Sequence, residues 1–124
     1  TSGYIRYLMR LNALEGSGTR MNKAAAGYRA GGKTGTAEKV VNGAYSSSKS
    51  FNVFTSAFPL DNPRYAMIIL VDEPKAENAQ SGHTAGWNAG EVTGRVIAQV
   101  APMLGISPDF NEMLDANLVP VEIR

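Results

Sequence analysis

Only a short turn at Asp61-Asn62-Pro63 separates the alternating stretch Phe51–Phe58 from the apolar run Tyr65–Val71. A parallel crossover takes roughly a dozen residues or more, so these two strands must be antiparallel neighbours. A second turn signal, Asn42-Gly43, lies between Phe51–Phe58 and a strand-like segment from Gly32 to Val41. Three strands joined by short turns leave little choice but an antiparallel meander. The run Tyr65–Val71 has no polar interruption and reads as a central strand buried on both faces.

Helices flank the meander. Tyr4, Ile5, Leu8, Met9, Leu11 and Leu14 recur at helical spacing, with Arg6 and Arg10 off that face, and Glu15-Gly16-Ser17-Gly18 stops the helix. Residues 19–30 read as a loop, with a short turn near Lys23–Ala26. Residues 74–86 are polar and also read as loop. Val92, Val96, Ile97, Val100, Met103 and Leu104 mark a second amphipathic helix ending near Gly105, with Pro102 bending its last turn. Residues 107–124 form a tail, with a short helix started by Ser107-Pro108-Asp109. The expected class is α+β.

The chain has 124 residues, the size of one small domain or part of a larger one, and 44% are hydrophobic, enough for a core. Cys is absent, which excludes disulfides, a thiol nucleophile and thiolate metal sites. With no apolar run of membrane-spanning length and no leader-like segment, the chain as it stands reads as soluble. Nothing points to a nucleic acid partner. The formal charge is +1, unevenly placed: residues 1–49 carry eight Lys/Arg against two Asp/Glu, residues 50–124 four against nine. The positive part surrounds Lys33 and suits an anionic ligand.

Gly31-Gly32-Lys33-Thr34-Gly35-Thr36 carries the chemistry. Gly27 to Thr34 matches the phosphate-loop pattern G-x-x-x-x-G-K-[ST] letter for letter, and Asp72-Glu73 after an apolar strand would suit a magnesium ion. That loop must follow a buried strand and open a helix. Asn22–Ala26 is a poor strand, and Gly35, Val40, Val41 and Asn42-Gly43 make a poor helix. The antiparallel meander also opposes a nucleotide fold. Asp72 and Glu73 are better read as a strand end. The other use of Lys-Thr-Gly is on the active-site strand of serine acyl-transferases.

Residues 1–106 resemble the last part of the transpeptidase domain of class B penicillin-binding proteins, the septal D,D-transpeptidases above all. Leu14-Glu15-Gly16-Ser17-Gly18-Thr19 is similar to that family's E-G-T-G turn. Ala24 to Ala37 resembles its approach to the active-site strand. Phe58-Pro59 and Tyr65 to Pro74 resemble its next two strands, and Gly86-Trp87-Asn88-Ala89-Gly90 the start of its final helix. Three motifs serve the family's chemistry: Ser-x-x-Lys, Ser-x-Asn and Lys-Thr-Gly, in that order. Only the third stands in its place here. Ser46-Ser47-Ser48-Lys49 and Ser50-Phe51-Asn52 match the others literally but follow Lys-Thr-Gly, and Ser46 lies in a serine-rich segment rather than on a helix, so both are rejected.

The resemblance implies a fragment of the penicillin-binding and serine β-lactamase-like fold, covering residues 1–106 with 107–124 as a tail. It implies that Lys33 assists proton transfer and attracts a substrate carboxylate. Thr34 and Thr36 would bind that carboxylate, the Thr36 N–H would serve an oxyanion hole, and Gly35 would let the ligand backbone approach. It implies peptidoglycan stem peptides and β-lactams as ligands, no metal or cofactor, and the N-terminal part of the same domain as a partner. It further implies a parent anchored on the periplasmic side of the bacterial inner membrane, in a division complex. The 124 residues alone would be inactive and prone to self-association. A non-catalytic module of the same fold is the alternative. His83 is expected to be an exposed loop residue, and Trp87 to pack the final helix onto the sheet.

Overall fold

A computed structural model describes residues 1–73, 86–111, 113–116 and 118, with backbone alone for 47 and 48. Strands β1 (Gly31–Val41), β2 (Ala44–Phe58) and β3 (Tyr65–Asp72) form one antiparallel sheet in the order β1-β2-β3. Helices α1 (Ser2–Glu15), α2 (Thr19–Ala24), α3 (Ala89–Met103) and α4 (Met113–Ala116) flank it. The expected α+β meander is therefore the observed one. Asn42 and Gly43 have φ of 51° and 81° and close β1 onto β2 with Val41 opposite Ala44. Both residues need the left-handed region, which Asn and Gly tolerate best. Ser46 pairs with Lys39 and Ser50 with Glu38, so β2 bulges through its serine run.

The core lies on one face of the sheet. Phe54 and Phe58 from β2 are fully buried there with Met21 of α2 and Ile97 of α3. Asn52, also buried, donates to Asn88 Oδ1 at 3.1 Å, and Asn88 caps α3 by accepting from the Ala89 N–H at 2.6 Å. The buried stripe of α3 is Ala89, Gly90, Thr93, Gly94, Ile97 and Ala101, while Val92, Met103 and Leu104 are exposed. A sequence reading ranked by bulk finds Ile97 and the half-buried Val96 and Val100 but misses the small residues of the stripe and wrongly includes Val92, Met103 and Leu104. A side chain at Gly94 would strike the Met21 carbonyl, so the crossing of α2 and α3 selects small residues.

Several other expectations are corrected. Among the described residues β3 is an edge strand, not a central one. Tyr65, Met67, Ile69 and Val71 are half-buried on the core side, and Ala66, Ile68 and Leu70 are exposed on the other. Ile68 is 70% exposed. A uniformly apolar strand conceals that alternation from the sequence. Residues 19–24 are helix rather than loop.

On α1 the polarity is inverted: Arg10 and Ala13 are buried while Tyr4, Ile5, Leu8 and Leu14 are exposed. Arg10 donates from Nε to Asp115 at 2.7 Å and from one NH group to Asn22 Oδ1 and the Ala30 carbonyl, each at 2.8 Å. A buried guanidinium is tolerable because every arm finds an acceptor. Asp115 lies in α4, so the C-terminal segment folds back onto α1. Arg29, also buried, secures it further through the carbonyls of Asp109, at 2.6 Å, and Asn111. The loop read at 74–86 lies outside the described residues up to 85, and so do residues 119–124.

Candidate active site

Strand β1 holds all four expected site residues, Lys33, Thr34, Gly35 and Thr36, at one margin of the sheet. Alternation puts Lys33 and Gly35 on the face away from the core, opposite Thr55 and Val53 of β2. Thr34 and Thr36 alternate to the other side. The N–H and C=O of one residue in an antiparallel strand point the same way and reverse at the next. The Gly32 carbonyl accepts from Asn12 Nδ2 of α1 at 2.9 Å and so faces outward, away from β2. By the same alternation Thr34 and Thr36 turn their backbone polar groups to the outer margin. An extended ligand could pair with them there.

The glycines of the motif fall into two kinds. A side chain at Gly31 would strike Leu60 and come within 2.9 Å of the Met9 backbone, and one at Gly32 would strike the Thr55 carbonyl and the Phe54 ring. Packing alone requires both. At Gly35 the nearest atom to a built Cβ is Val53 Cβ at 4.0 Å. Among the described residues, packing leaves that position free to carry a side chain.

Lys33 is exposed, and its ammonium donates to the Thr34 carbonyl and the Thr34 hydroxyl oxygen, each at 3.0 Å. The ammonium and the Thr34 hydroxyl are thus brought together, a pair suited to a carboxylate. Sequence reasoning missed the residues that back this pair. Ser17, in the turn between α1 and α2, places its hydroxyl 3.4 Å from the Thr34 hydroxyl and 3.2 Å from Asn12 Oδ1. The signal in the sequence was the turn itself, Glu15-Gly16-Ser17-Gly18, which was noted without a role.

Beside Ser17, a groove of about 340 Å³ is lined by Gly16, Thr19, Arg20, Gly86 and Trp87. Trp87 is 43% exposed and carries the Arg20 guanidinium 4.5 Å from its ring centroid; it does not pack α3 onto the sheet. Arg20 also bonds Glu91 at 2.5 Å and holds that carboxyl below its ordinary range. The arginine claims the indole face that a bulk-based reading assigns to the core.

The rival site readings fail on geometry. Gly27–Thr34 follows helix α2 and runs into a strand, the reverse of a phosphate loop. Asp72 is the last residue of β3 and pairs with Lys39 at 2.5 Å. Ser46 and Lys49 lie in the bulged strand β2, with no helical turn to bring positions three apart together. Asn52 is buried on the core face opposite Thr36 and donates to Asn88 Oδ1. His83 lies outside the described residues. Among the described residues no cluster of His, Asp or Glu has metal-ligand geometry, and no helix is long and apolar enough to cross a membrane.

Residues 1–94 match the model of the penicillin binding protein transpeptidase domain. The chain is 40% identical over 114 residues to the probable peptidoglycan D,D-transpeptidase FtsI of Caulobacter vibrioides, covering 86% of this chain and 19% of that protein. It is 36% identical over 113 residues to the stage V sporulation protein D of Bacillus subtilis, covering 91% and 17%. Among solved structures, the transpeptidase domain of penicillin-binding protein 3 from Burkholderia pseudomallei superposes with a TM-score of 0.68 at 32% identity, over 86% of this chain and 30% of that one. The chain thus spans about a fifth of the length of these curated relatives. The match runs through α1, the turn, the Lys-Thr-Gly strand and the meander alike, and the chain belongs to the penicillin-binding protein transpeptidase-domain family.

Proposed function

We propose that these residues supply one wall of the active site of a serine D,D-transpeptidase of class B, which cross-links peptidoglycan stem peptides and is acylated by β-lactams. Residues 1–106 are the C-terminal portion of its transpeptidase domain and 107–124 its tail. The nucleophile and its base, a Ser-x-x-Lys pair, and the Ser-x-Asn come from sequence other than these residues. The observation that carries the reading is Gly35. It is a glycine that packing among the described residues does not require, between two threonines whose backbone groups face outward and beside an ammonium on an exposed face.

In this reading an acyl donor lies antiparallel along the outer margin of β1. Thr34 and Thr36 hydroxyls hold its carboxylate, and Lys33 supplies the positive charge that draws the anion in and favours proton transfer at the serine. The Thr36 N–H is one oxyanion donor. The parent protein works on the periplasmic side of the inner membrane, anchored in it, with the rest of the same domain as its first partner and a division complex as its setting. The test is fluorescent penicillin with intact-mass analysis. The full-length protein should gain one acyl group on a serine outside these residues, and the 124-residue chain none. A stoichiometric adduct on Ser46, or no adduct on the full-length protein, would overturn the reading; the second result would leave a non-catalytic module.

A further inference from the structure

The turn between α1 and α2 is built around one amide. Asn12 Nδ2 donates to the Gly32 carbonyl at 2.9 Å, which fixes the amide orientation, because a carbonyl can only accept. Asn12 Oδ1 is therefore an acceptor, and it receives the Ser17 N–H at 3.1 Å. Gly16 has extended φ and ψ that any residue can adopt, yet a side chain there would strike Asn12 Oδ1. The glycine exists to let this amide in. The amide in turn ties the turn to β1 one residue before Lys33.

Proton direction along the rest of the chain of contacts follows from chemistry. The Lys33 ammonium is donor only, so Thr34 Oγ accepts from it at 3.0 Å. Asn12 Oδ1 is acceptor only, so the Ser17 hydroxyl donates to it at 3.2 Å. The Thr34 hydroxyl proton is then left to point at Ser17 Oγ across 3.4 Å. Ammonium, threonine, serine and amide form a single directed row. Its middle link is long for an O–H···O bond.

We infer that Ser17 is a positioning residue that switches the Thr34 hydroxyl between two settings. Without ligand, Thr34 donates to Ser17 and Ser17 donates to Asn12. When a substrate carboxylate arrives, the Thr34 proton turns to it. Ser17 then rotates to donate to Thr34, and Asn12 Oδ1 keeps the Ser17 N–H. No acceptor of the row loses all its donors, and no proton changes owner. Without the Ser17 hydroxyl, Thr34 Oγ keeps one donor among the described residues, the Lys33 ammonium, where it would otherwise have two while it donates to the carboxylate. The inference rests on the reading of Thr34 as a carboxylate ligand.

Benzylpenicillin and its methyl ester separate the two, because only the acid presents a carboxylate. In the full-length protein, Ser17→Ala should lower the acid-to-ester ratio of second-order acylation rates about three- to ten-fold, the worth of one neutral hydrogen bond. Ser17→Thr, which keeps the hydroxyl, should restore the ratio. Thr34→Val should lower it at least as far, and adding Ser17→Ala to Thr34→Val should lower it no further. Ser17 is exposed, and unchanged thermal unfolding of Ser17→Ala is expected alongside. An unchanged ratio in Ser17→Ala while Thr34→Val loses it would make Ser17 a turn residue only. So would equal slowing of acid and ester. If Thr34→Val itself keeps the ratio, the carboxylate role of Thr34 falls and the switch with it.

Discussion

The two faces of the sheet differ sharply among the described residues. On one, Phe54 and Phe58 are sealed beneath α2 and α3 with Met21 and Ile97. On the other, Ile68 and Leu70 stand 70% and 56% exposed beside Val53, Thr55 and Lys33. Both faces are apolar in β3, yet only one is covered among the described residues. The motif residue Lys33 belongs to the uncovered face. In our reading, a sheet that seals one side and leaves apolar side chains around a lysine on the other receives substrate at its margin and the rest of the domain above.

The largest effect expected on that face is catalytic. In the full-length protein Lys33→Ala should slow acylation by a β-lactam by several orders of magnitude, since pre-positioned charge dominates such sites. Thr36→Ala should cost less, because its backbone N–H survives. Stopped-flow acylation measures both. A Lys33→Ala protein that acylates at the parental rate would make Lys33 an ordinary surface lysine and leave the two faces chemically equivalent.

The next contrast concerns stability. Phe54→Ala in the 124-residue chain should cost about 3–5 kcal/mol, the usual range for emptying a buried aromatic site. Ile68→Ala should stay within about 0.5 kcal/mol, as for exposed positions. Denaturant unfolding of both, repeated in the full-length protein, sharpens the comparison. If more of the domain covers the open face there, the Ile68→Ala cost rises towards the Phe54 value. If it remains small, nothing packs on that face and our account of the partner fails.

What the sequence made legible follows the same divide. Turn chemistry at Asn42-Gly43 and the brevity of Asp61-Asn62-Pro63 gave the meander, because local residues decide a tight turn. Lys33 to Thr36 were readable because a motif keeps its spacing. The burial of Arg10 was not, since its partner Asp115 lies at the far end of the chain and charge alone argues for the surface. The alternation in β3 was hidden because every residue from Tyr65 to Val71 is apolar. The burial of Gly90 and Gly94 in α3 depends on where α2 crosses, which no periodicity records. Ser17 and Asn12 escaped because each is an ordinary turn or helix residue until β1 is laid beside it.

Exposed apolar surface and the edge of β3, unpaired among the described residues, should also show in solution. At roughly tens of micromolar, where weak interfaces are populated, the 124-residue chain is expected to sediment as a dimer or larger. Leu70→Lys with Ile68→Lys should shift it towards monomer, whereas a charge placed on exposed Met103 of α3 should not. A monomeric parent chain at that concentration would show that the open face is tolerated without a partner.

The smallest effects belong to two ion pairs. Arg20 and Glu91 join α2 to α3 at 2.5 Å, and Arg20 is the main cause of the lowered Glu91 pKa. A depressed carboxyl contributes stability above its unfolded value and loses it as pH falls through the folded one. The loss therefore lies on the acid side, below the ordinary glutamate range. Lys39 reaches over the Phe51 ring to Asp72 at 2.5 Å and Glu73 at 3.2 Å, and Asp72 is the main cause of its raised pKa. A raised lysine contributes fully below its ordinary value of 10.5 and loses its contribution as pH rises past the folded value. Glu91→Gln should flatten the acid limb of stability against pH, and Lys39→Met the alkaline limb. Salt should weaken the Lys39 pair more, because charges on the solvated side are screened while Glu91 is partly shielded between two helices. Urea unfolding across pH at low and high ionic strength reads all four quantities. Equal salt sensitivity of the two limbs would mean that the α2–α3 pair is as solvated as the one across the strands, and that the division between sheltered and open sides does not extend to its charges.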